Sequence, residues 1–281
     1  MDTLTIWAAI LLGLIQGISE FLPISSSGHL SVLQNLFGMS TAENGHLFFD
    51  VLLHFGTLIS ICVVYWQDIV RMVFEVKALA GGKGTKKGAN TRNLSAARLF
   101  LMLIIGTLPL FLVLPINDYV ERLYYQTFFI GAAFILTGCL LFVADKMQPG
   151  DRGEKSMRVR DALVIGLCQA IATIPGLSRS GTTISAGIAT GLDRDFAVKY
   201  SFLLSLPAVL GANVLGIAKA AKEGIEISLI PVYLIGMAVA MITGIFAIGL
   251  VKRLASKGKF GYFAYYCWGA GIITMILSLI F

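Results

Sequence analysis

The chain has 281 residues, of which 57% are hydrophobic and only 14% are charged, and its mean hydropathy is +0.82. A soluble domain carries about 25% charged residues, so this chain has too little polar surface to coat a water-exposed globule. The net charge of +6 comes from basic residues between apolar runs, which is typical of membrane loops beside anionic lipid. The composition excludes a soluble protein and a nucleic-acid partner, and it indicates an integral membrane protein.

The first apolar segment, 4–38, does not have the composition of a simple membrane span. Pro23, three consecutive serines and Gly28 interrupt it near its middle. Irregular backbone at membrane depth is tolerated only where protein or a water-filled cavity covers it. The segment therefore predicts a re-entrant helix–loop–helix hairpin.

Six further runs are long enough to cross a bilayer, which takes about 20 residues. They are 47–66, 96–116, 126–144, 200–220, 230–251 and 261–281. Between the third and fourth runs, the segment 161–190 is interrupted by Pro175, Gly176 and hydroxyl residues, so it predicts a second re-entrant hairpin. The predicted fold is an all-α polytopic membrane protein, a single domain over 1–281 with six transmembrane helices and two hairpins.

The two interrupted segments match each other without a gap. The matched pairs include Gln16 with Gln169, Ser25 with Ser178, Ser27 with Ser180 and Gly28 with Gly181. We predict a first repeat over 1–144, with hairpin 4–38 and three spans, and a second over 161–281, with hairpin 161–190 and three spans. Chance similarity between apolar segments is the alternative. Three spans in each repeat would invert the second copy relative to the first.

Basic residues fall mostly on one predicted side of the membrane. If the loop 67–95 is cytoplasmic, most of the 22 Lys and Arg are cytoplasmic, and only Arg122, Lys219 and Lys222 lie in loops on the opposite side. The positive-inside rule then places both termini outside. The first hairpin enters from outside and the second from inside, so that their tips meet near the midplane. Such inverted repeats are typical of transporters.

Ionisable groups at membrane depth are costly and usually functional. Gln16 and Glu20 are four residues apart on one helix face, His29 follows the first turn, and Arg179 lies in the second. The hydroxyl residues near them are Ser25, Ser26, Ser27, Ser178, Ser180, Thr182 and Thr183. Helix N-termini bind anions, and a guanidinium fits two phosphate oxygens, so we expect a site for a lipid-borne phosphate. A structural ion pair between Glu20 and Arg179 is the alternative.

At these residues the sequence resembles a known family. The motifs are Gln16-x-x-x-Glu20, Pro23-x-Ser25-Ser26-x-Gly28-His29 and Pro175-Gly176-x-Ser178-Arg179-Ser180-x-x-Thr183. They are similar to those of undecaprenyl-diphosphate phosphatases, also called the bacitracin-resistance type. The resemblance covers nearly the whole chain and implies hydrolysis of a C55-isoprenyl diphosphate at a bacterial plasma membrane, with a site open to the outer face. It also implies recycling of the carrier lipid for peptidoglycan synthesis.

Phosphoryl transfer needs an in-line nucleophile, a base and positive charge on the phosphoryl oxygens. We assign catalytic roles to Glu20, Ser26, His29 and Arg179, with Ser26 as leading nucleophile and His29 as its base. Glu20 would orient the imidazole or hold a metal. A His29 nucleophile and an activated water remain alternatives. We assign phosphate binding to Ser25, Ser27, Gly28, Ser178, Ser180 and Thr183, and a supporting role to Gln16.

Cofactors and partners follow from the same residues. No nucleotide motif is present, so no nucleotide or organic cofactor is expected, while Mg²⁺ or Ca²⁺ at Glu20 is an open option. The expected partners are a polyprenyl diphosphate and the bilayer, with a homodimer left open. We expect His46 to be solvated and His54 to be a hydrogen-bonded core residue. The rival function is a polyprenyl-phosphate transporter or flippase that uses the same anion site.

Overall fold

The computed structural model describes residues 4–37, 47–80, 94–148 and 150–280. Within these ranges the chain is α-helical, and the only β-type contact is one isolated bridge between Arg152 and Leu192. Six helical segments are long and apolar enough to cross a membrane. They are Leu47–Val64, Ser95–Leu123, Thr127–Lys146, Arg194–Lys222, Ile227–Ser256 and Gly261–Ile280. Each corresponds to one predicted run, so the all-α class with six apolar spans is confirmed.

The described ranges contain α-helices that we number in chain order. They are α1 Ile6–Phe21, α2 Ser26–Phe37, α3 Leu47–Val64, α4 Trp66–Ala80, α5 Ser95–Thr107, α6 Asn117–Leu123, α7 Thr127–Lys146, α8 Val159–Ile171, α9 Arg179–Ala189, α10 Arg194–Glu223, α11 Ile230–Ser256 and α12 Gly261–Ile280. Two 3₁₀ turns that contain prolines continue α5 toward α6. The predicted solvation of His46 lies outside the described residues.

Two pairs of helices, α1 with α2 and α8 with α9, are shorter than the spans. The four helices have 16, 12, 13 and 11 residues. At about 1.5 Å per residue, none reaches the roughly 30 Å of a hydrocarbon core. The chain leaves α1 at Leu22 and re-enters helix at Ser26, while the side chain of Ser178 caps the N-terminus of α9 by accepting from the Gly181 amide at 3.0 Å.

The turns of these two pairs touch each other. A Cβ added to Gly28 would lie 2.9 Å from the Cα of Gly176, and 2.6 Å from the ring of Phe134. The Ser180 hydroxyl donates to the Leu22 carbonyl at 3.4 Å. This contact brings the ends of α1 and α9 together and places their polar residues in one cluster.

Glycines allow α1 and α8 to approach neighbouring helices closely. A Cβ on Gly13 of α1 would lie 2.4 Å from the Gly236 carbonyl oxygen of α11, and a Cβ on Gly166 of α8 would lie 2.3 Å from the Gly106 carbonyl oxygen of α5. Small residues permit such backbone contact between membrane helices. The short helices are therefore packed tightly against membrane spans.

The expectation that 67–95 is a loop was wrong for its first part, because α4 extends to Ala80. Its amphipathic sequence, with charged residues among apolar ones, is long enough for a helix but too polar for a span. Arg71 of α4 donates to Glu154 at 2.8 Å, and Lys199 of α10 donates to Asp68 at 2.5 Å. Ion pairs thus connect α4 to the loop after α7 and to α10.

Candidate active site

Glu20 is the centre of the polar cluster. Glu20 is 7% exposed and lies at the end of α1, one residue before the helix ends at Phe21. The oxygen Oε2 accepts from the Ser26 hydroxyl at 2.7 Å and from the Gln16 amide at 3.1 Å. The other oxygen, Oε1, accepts from Nη2 of Arg179. One carboxylate therefore joins the first turn to the second.

Gln16 positions two other side chains. Its amide nitrogen, which has two hydrogens, donates to Glu20 and lies 2.9 Å from Nδ1 of His54. Because an amide nitrogen only donates, His54 accepts at Nδ1 and carries its proton on Nε2. The amide oxygen of Gln16 is buried and has no hydrogen-bond partner among the described residues. His54 was expected to be an ordinary core histidine, yet the structure places it in the cluster, with its side chain 38% exposed.

The turn that carries Ser26 has an unusual backbone. Ser25 has a φ of +70°, a left-handed conformation that few residues other than glycine adopt. Such strain persists only where the surroundings fix it, and it is common at functional sites. The Ser25 hydroxyl accepts from the Gly28 amide at 3.3 Å and lies 3.4 Å from the Ser27 hydroxyl. The strained residue directs the following hydroxyl, that of Ser26, onto Glu20.

His29 has partners other than Ser26. Its Nδ1 lies 2.7 Å from the Ser25 carbonyl oxygen and its Nε2 lies 2.8 Å from the hydroxyl of Tyr266. A carbonyl oxygen can only accept, so Nδ1 carries the proton, and neutral His29 accepts from Tyr266 at Nε2. The ring also stacks on Tyr266, with centroids 5.7 Å apart. The expected Ser26–His29 hydrogen bond is replaced by Ser26–Glu20, and the role of His29 as a base stays a prediction.

The hydroxyls of the second turn mostly bond within the protein. Ser178 caps α9 and lies 3.2 Å from the Ser180 hydroxyl. The Thr183 hydroxyl donates to the Arg179 carbonyl at 2.8 Å and lies 2.6 Å from Ser201 of α10. These contacts hold the turn in place, and the predicted phosphate contacts of Ser178, Ser180 and Thr183 stay predictions.

Arg179 reaches from the second turn into the first. Its side chain is 22% exposed, and Nη2 pairs with Glu20. The other terminal nitrogen, Nη1, is buried and has no hydrogen-bond partner among the described residues. A buried N–H without a partner carries a large penalty unless a ligand satisfies it. The guanidinium can therefore bind an anion while it remains paired with Glu20.

The cluster does not form a metal cage by itself. Glu20 is its one carboxylate, and both of its oxygens already accept hydrogen bonds. Across the described part of the chain, no group of three His, Cys, Asp or Glu side chains is arranged to hold a metal ion. Mg²⁺ and Ca²⁺ usually take several oxygen ligands. The divalent ion at Glu20 therefore stays a prediction.

Two residues of the cluster were not identified from the sequence. His54 is 38 positions from Gln16, and Tyr266 is 237 positions from His29. An ionisable group inside an apolar span was a usable signal for His54. No such signal marks Tyr266 in the sequence, because tyrosine is common in membrane helices. Only the packing of α12 brings Tyr266 next to His29.

Comparison with known proteins identifies the family. The family model of bacitracin resistance protein BacA matches residues 9–273. The chain belongs to this family. With its six apolar spans, it is a multi-pass membrane protein. The match includes both turns and all the candidate site residues.

Similar proteins of nearly equal length carry the name undecaprenyl-diphosphatase. One from Alkaliphilus metalliredigens is 38% identical over 278 residues, which cover 99% of this chain and 100% of that protein. One from Methanosphaera stadtmanae is 38% identical over 282 residues, with 99% of both chains covered. A third, from Halothermothrix orenii, is 36% identical over 277 residues, with 98% of this chain and 99% of the relative covered.

Proposed function

We propose that the chain is an undecaprenyl-diphosphate phosphatase, which releases inorganic phosphate and returns the monophosphate carrier lipid to peptidoglycan synthesis. Membership of the bacitracin resistance family and the names of its relatives support this activity. The observation that supports it in this chain is the shared partner of Arg179 and Ser26. Glu20 accepts from Nη2 of Arg179 and from the Ser26 hydroxyl, while Nη1 of Arg179 is buried without a hydrogen-bond partner among the described residues.

The proposed reaction begins at Ser26. Its hydroxyl already donates to Glu20 at 2.7 Å, so the carboxylate accepts the proton as the oxygen attacks the terminal phosphorus. Arg179 stabilises charge on the phosphoryl oxygens. The lipid monophosphate leaves, and water hydrolyses the phosphoserine to inorganic phosphate. This differs from the roles expected from the sequence, where His29 was the base and Glu20 its orienting group.

A divalent ion stays a prediction in this scheme. Glu20 and the buried amide oxygen of Gln16 are the groups that would hold it, and Mg²⁺ or Ca²⁺ would neutralise negative charge on the diphosphate. No step above is routed through the ion, and the homodimer likewise stays a prediction.

We also propose that the two pairs of short helices are re-entrant hairpins related by an inverted repeat, with the site open to the outer face. One observation supports the repeat, and another supports re-entry. Gly13 and Gly166, which align in the sequence, each lie against the backbone of a membrane span, at Gly236 and Gly106 respectively. The short lengths of α1, α2, α8 and α9 support entry without crossing. The divisions at 1–144 and 161–281 stay predictions.

Purified protein in detergent separates a hydrolase from a carrier. With a polyprenyl diphosphate as substrate, the proposal expects stoichiometric release of free phosphate and appearance of the lipid monophosphate. Binding of the lipid without turnover would support the transporter alternative, which the family and its named relatives do not favour.

The identity of the nucleophile has its own experiment. Ser26→Ala should abolish turnover while lipid binding persists, because Arg179 and the apolar tail contacts are unchanged. Rapid quenching of wild-type protein with labelled substrate should trap an acid-stable phosphoserine. An acid-labile adduct would assign the attack to His29, and continued turnover by Ser26→Ala without any adduct would assign it to water. Ser31→Ala, on the same helix, serves as the matched control.

A further inference from the structure

A groove outside the cluster around Glu20 lies where the ends of α3, α10 and α11 meet. It has a volume of about 540 Å³ and shares no residue with the cluster around Glu20. Its lining residues are Val64, Asp195, Ile245, Gly249, Lys252, Arg253 and Ser256. No step of the proposed reaction uses it.

The lining divides into an apolar part and a charged part. Val64, Ile245 and Gly249 come from the spans α3 and α11, and a Cβ added to Gly249 would meet nothing within 4 Å. Lys252, Arg253 and Ser256 follow in the last two turns of α11. A groove that is apolar toward the membrane interior and basic at its edge has the polarity of a phospholipid.

The two basic side chains are available to a ligand. Lys252 is exposed, and its ammonium lies 5.2 Å from the ring centroid of Tyr65, a contact that holds it at the groove. Arg253 is exposed and has no side-chain hydrogen bond or ion pair within the described ranges. Arg253 can therefore bind a phosphate oxygen without breaking a side-chain contact within the described ranges, and Lys252 can reach one from beside the Tyr65 ring.

We propose that this groove binds one phospholipid with a phosphatidylglycerol-type headgroup. Lys252 and Arg253 bind the phosphodiester, and an acyl chain lies along Val64, Ile245 and Gly249. The two cations and Asp195 give the groove a net charge of +1, which matches the single negative charge of this lipid. The carboxylate of Asp195 accepts hydrogen bonds from the glycerol hydroxyls of the headgroup.

Native mass spectrometry of the purified protein tests this directly. The probes are phosphatidylglycerol, phosphatidylethanolamine and phosphatidylcholine with identical acyl chains, each added at several concentrations. Wild-type protein should retain phosphatidylglycerol at least about tenfold more tightly than phosphatidylcholine. The double variant Lys252→Gln, Arg253→Gln should lose that preference, since each basic residue near a membrane surface contributes roughly a fivefold change in affinity.

Matched variants distinguish lipid binding in the groove from general effects of changing charge or side-chain size. Gly249→Phe should fill the apolar part and lower retention, whereas Gly211→Phe, at another glycine whose Cβ would meet nothing, should not. Lys257→Gln with Lys259→Gln removes two charges at the same end of α11 without touching the groove, so it should keep the preference. Because lipid retention is measured without substrate, failure of this proposal is distinguishable from failure of the phosphatase.

Three results would overturn the proposal. Equal retention of phosphatidylglycerol and phosphatidylcholine by wild-type protein would remove its basis. Tighter retention of phosphatidylethanolamine would show that Asp195 selects an ammonium group instead. An equal loss of phosphatidylglycerol retention in the groove variants and in their controls would mean that the lipid binds elsewhere on the surface.

Discussion

Arg179 has two terminal nitrogens, and a lysine could not replace both. One terminal nitrogen pairs with Glu20, and the other is buried without a partner in the described structure. An ammonium is a point charge and cannot hold the carboxylate and two phosphate oxygens in one plane. Arg179→Lys should therefore lower kcat for phosphate release by about 10²-fold or more. Arg160→Lys, an exposed arginine on α8, should retain wild-type kcat, and near-normal turnover by Arg179→Lys would refute the phosphate-binding role.

Tyr266 contacts His29 through its hydroxyl and its ring. Its hydroxyl lies 2.8 Å from Nε2, so it fixes the ring orientation and favours the neutral form that accepts this bond. Tyr266→Phe keeps the stacked ring and removes only the hydroxyl. If His29 takes part in proton transfer, kcat should fall several-fold and the pH profile of kcat should shift. The neighbouring exposed Tyr265→Phe should change neither, and an unchanged pH profile in Tyr266→Phe would leave the tyrosine a packing role only.

The site shows which individual residues a sequence can identify. Glu20 and Arg179 were predicted as site residues because ionisable groups inside apolar segments are usually functional. The structure pairs them, which is the ion pair considered as the alternative, and their catalytic roles stay predictions. The choice between Glu20 and His29 as partner of Ser26 was not predictable. It depends on the left-handed backbone at Ser25, which the serine side chain does not favour.

Among the helices, close contact between glycines and the backbone of a neighbouring helix determines how the short helices pack. A Cβ at Gly166 would lie 2.3 Å from the Gly106 carbonyl oxygen, so α8 and α5 would have to separate. Gly166→Ala should lower the free energy of unfolding by about 1–3 kcal/mol, the usual effect of overpacking. Thermal unfolding in detergent measures this. Gly211→Ala, with no atom near the added methyl, should be neutral or stabilising. Equal stability of both variants would contradict close packing.

Spans and interfacial helices differ in how well the sequence predicts them. Long apolar runs identified the six spans because the bilayer imposes length and hydropathy on each of them. The helix α4 was missed because its charged residues resemble those of a loop. Its helical structure depends on contacts with distant elements, such as Glu75, which accepts from the amides of Ala96 and Ala97 at 2.9 Å.

Ion pairs at one end of the molecule make its stability depend on pH. Burial raises the pKa of Glu154, but a hydrogen bond from Ser95 and the charges of Lys199 and Arg71 hold that pKa below its ordinary value. A carboxyl whose pKa is lower in the folded state adds stability at neutral pH and loses it as the pH falls through that pKa. Lowering the pH from about 7 to about 4 should therefore reduce Tm more in wild-type protein than in Glu154→Gln. Equal reductions would exclude this network as the cause.

The final prediction concerns the orientation of the whole molecule. Lys257 follows α11, and the next residue, Gly258, lies against the side chain of Arg194. Arg194 also donates to the carbonyls of Asp145 and Met147, so these segments lie at one end of the bundle. Asn117 begins α6, beyond the C-terminal end of α5, whereas Ser95 begins α5. Because most basic loops lie at the first end, the positive-inside rule places it in the cytoplasm. In a background without the native cysteines, Asn117→Cys should react with an impermeant maleimide in intact cells, and Lys257→Cys only in inverted vesicles. Reaction of both from the same face would break the inverted arrangement.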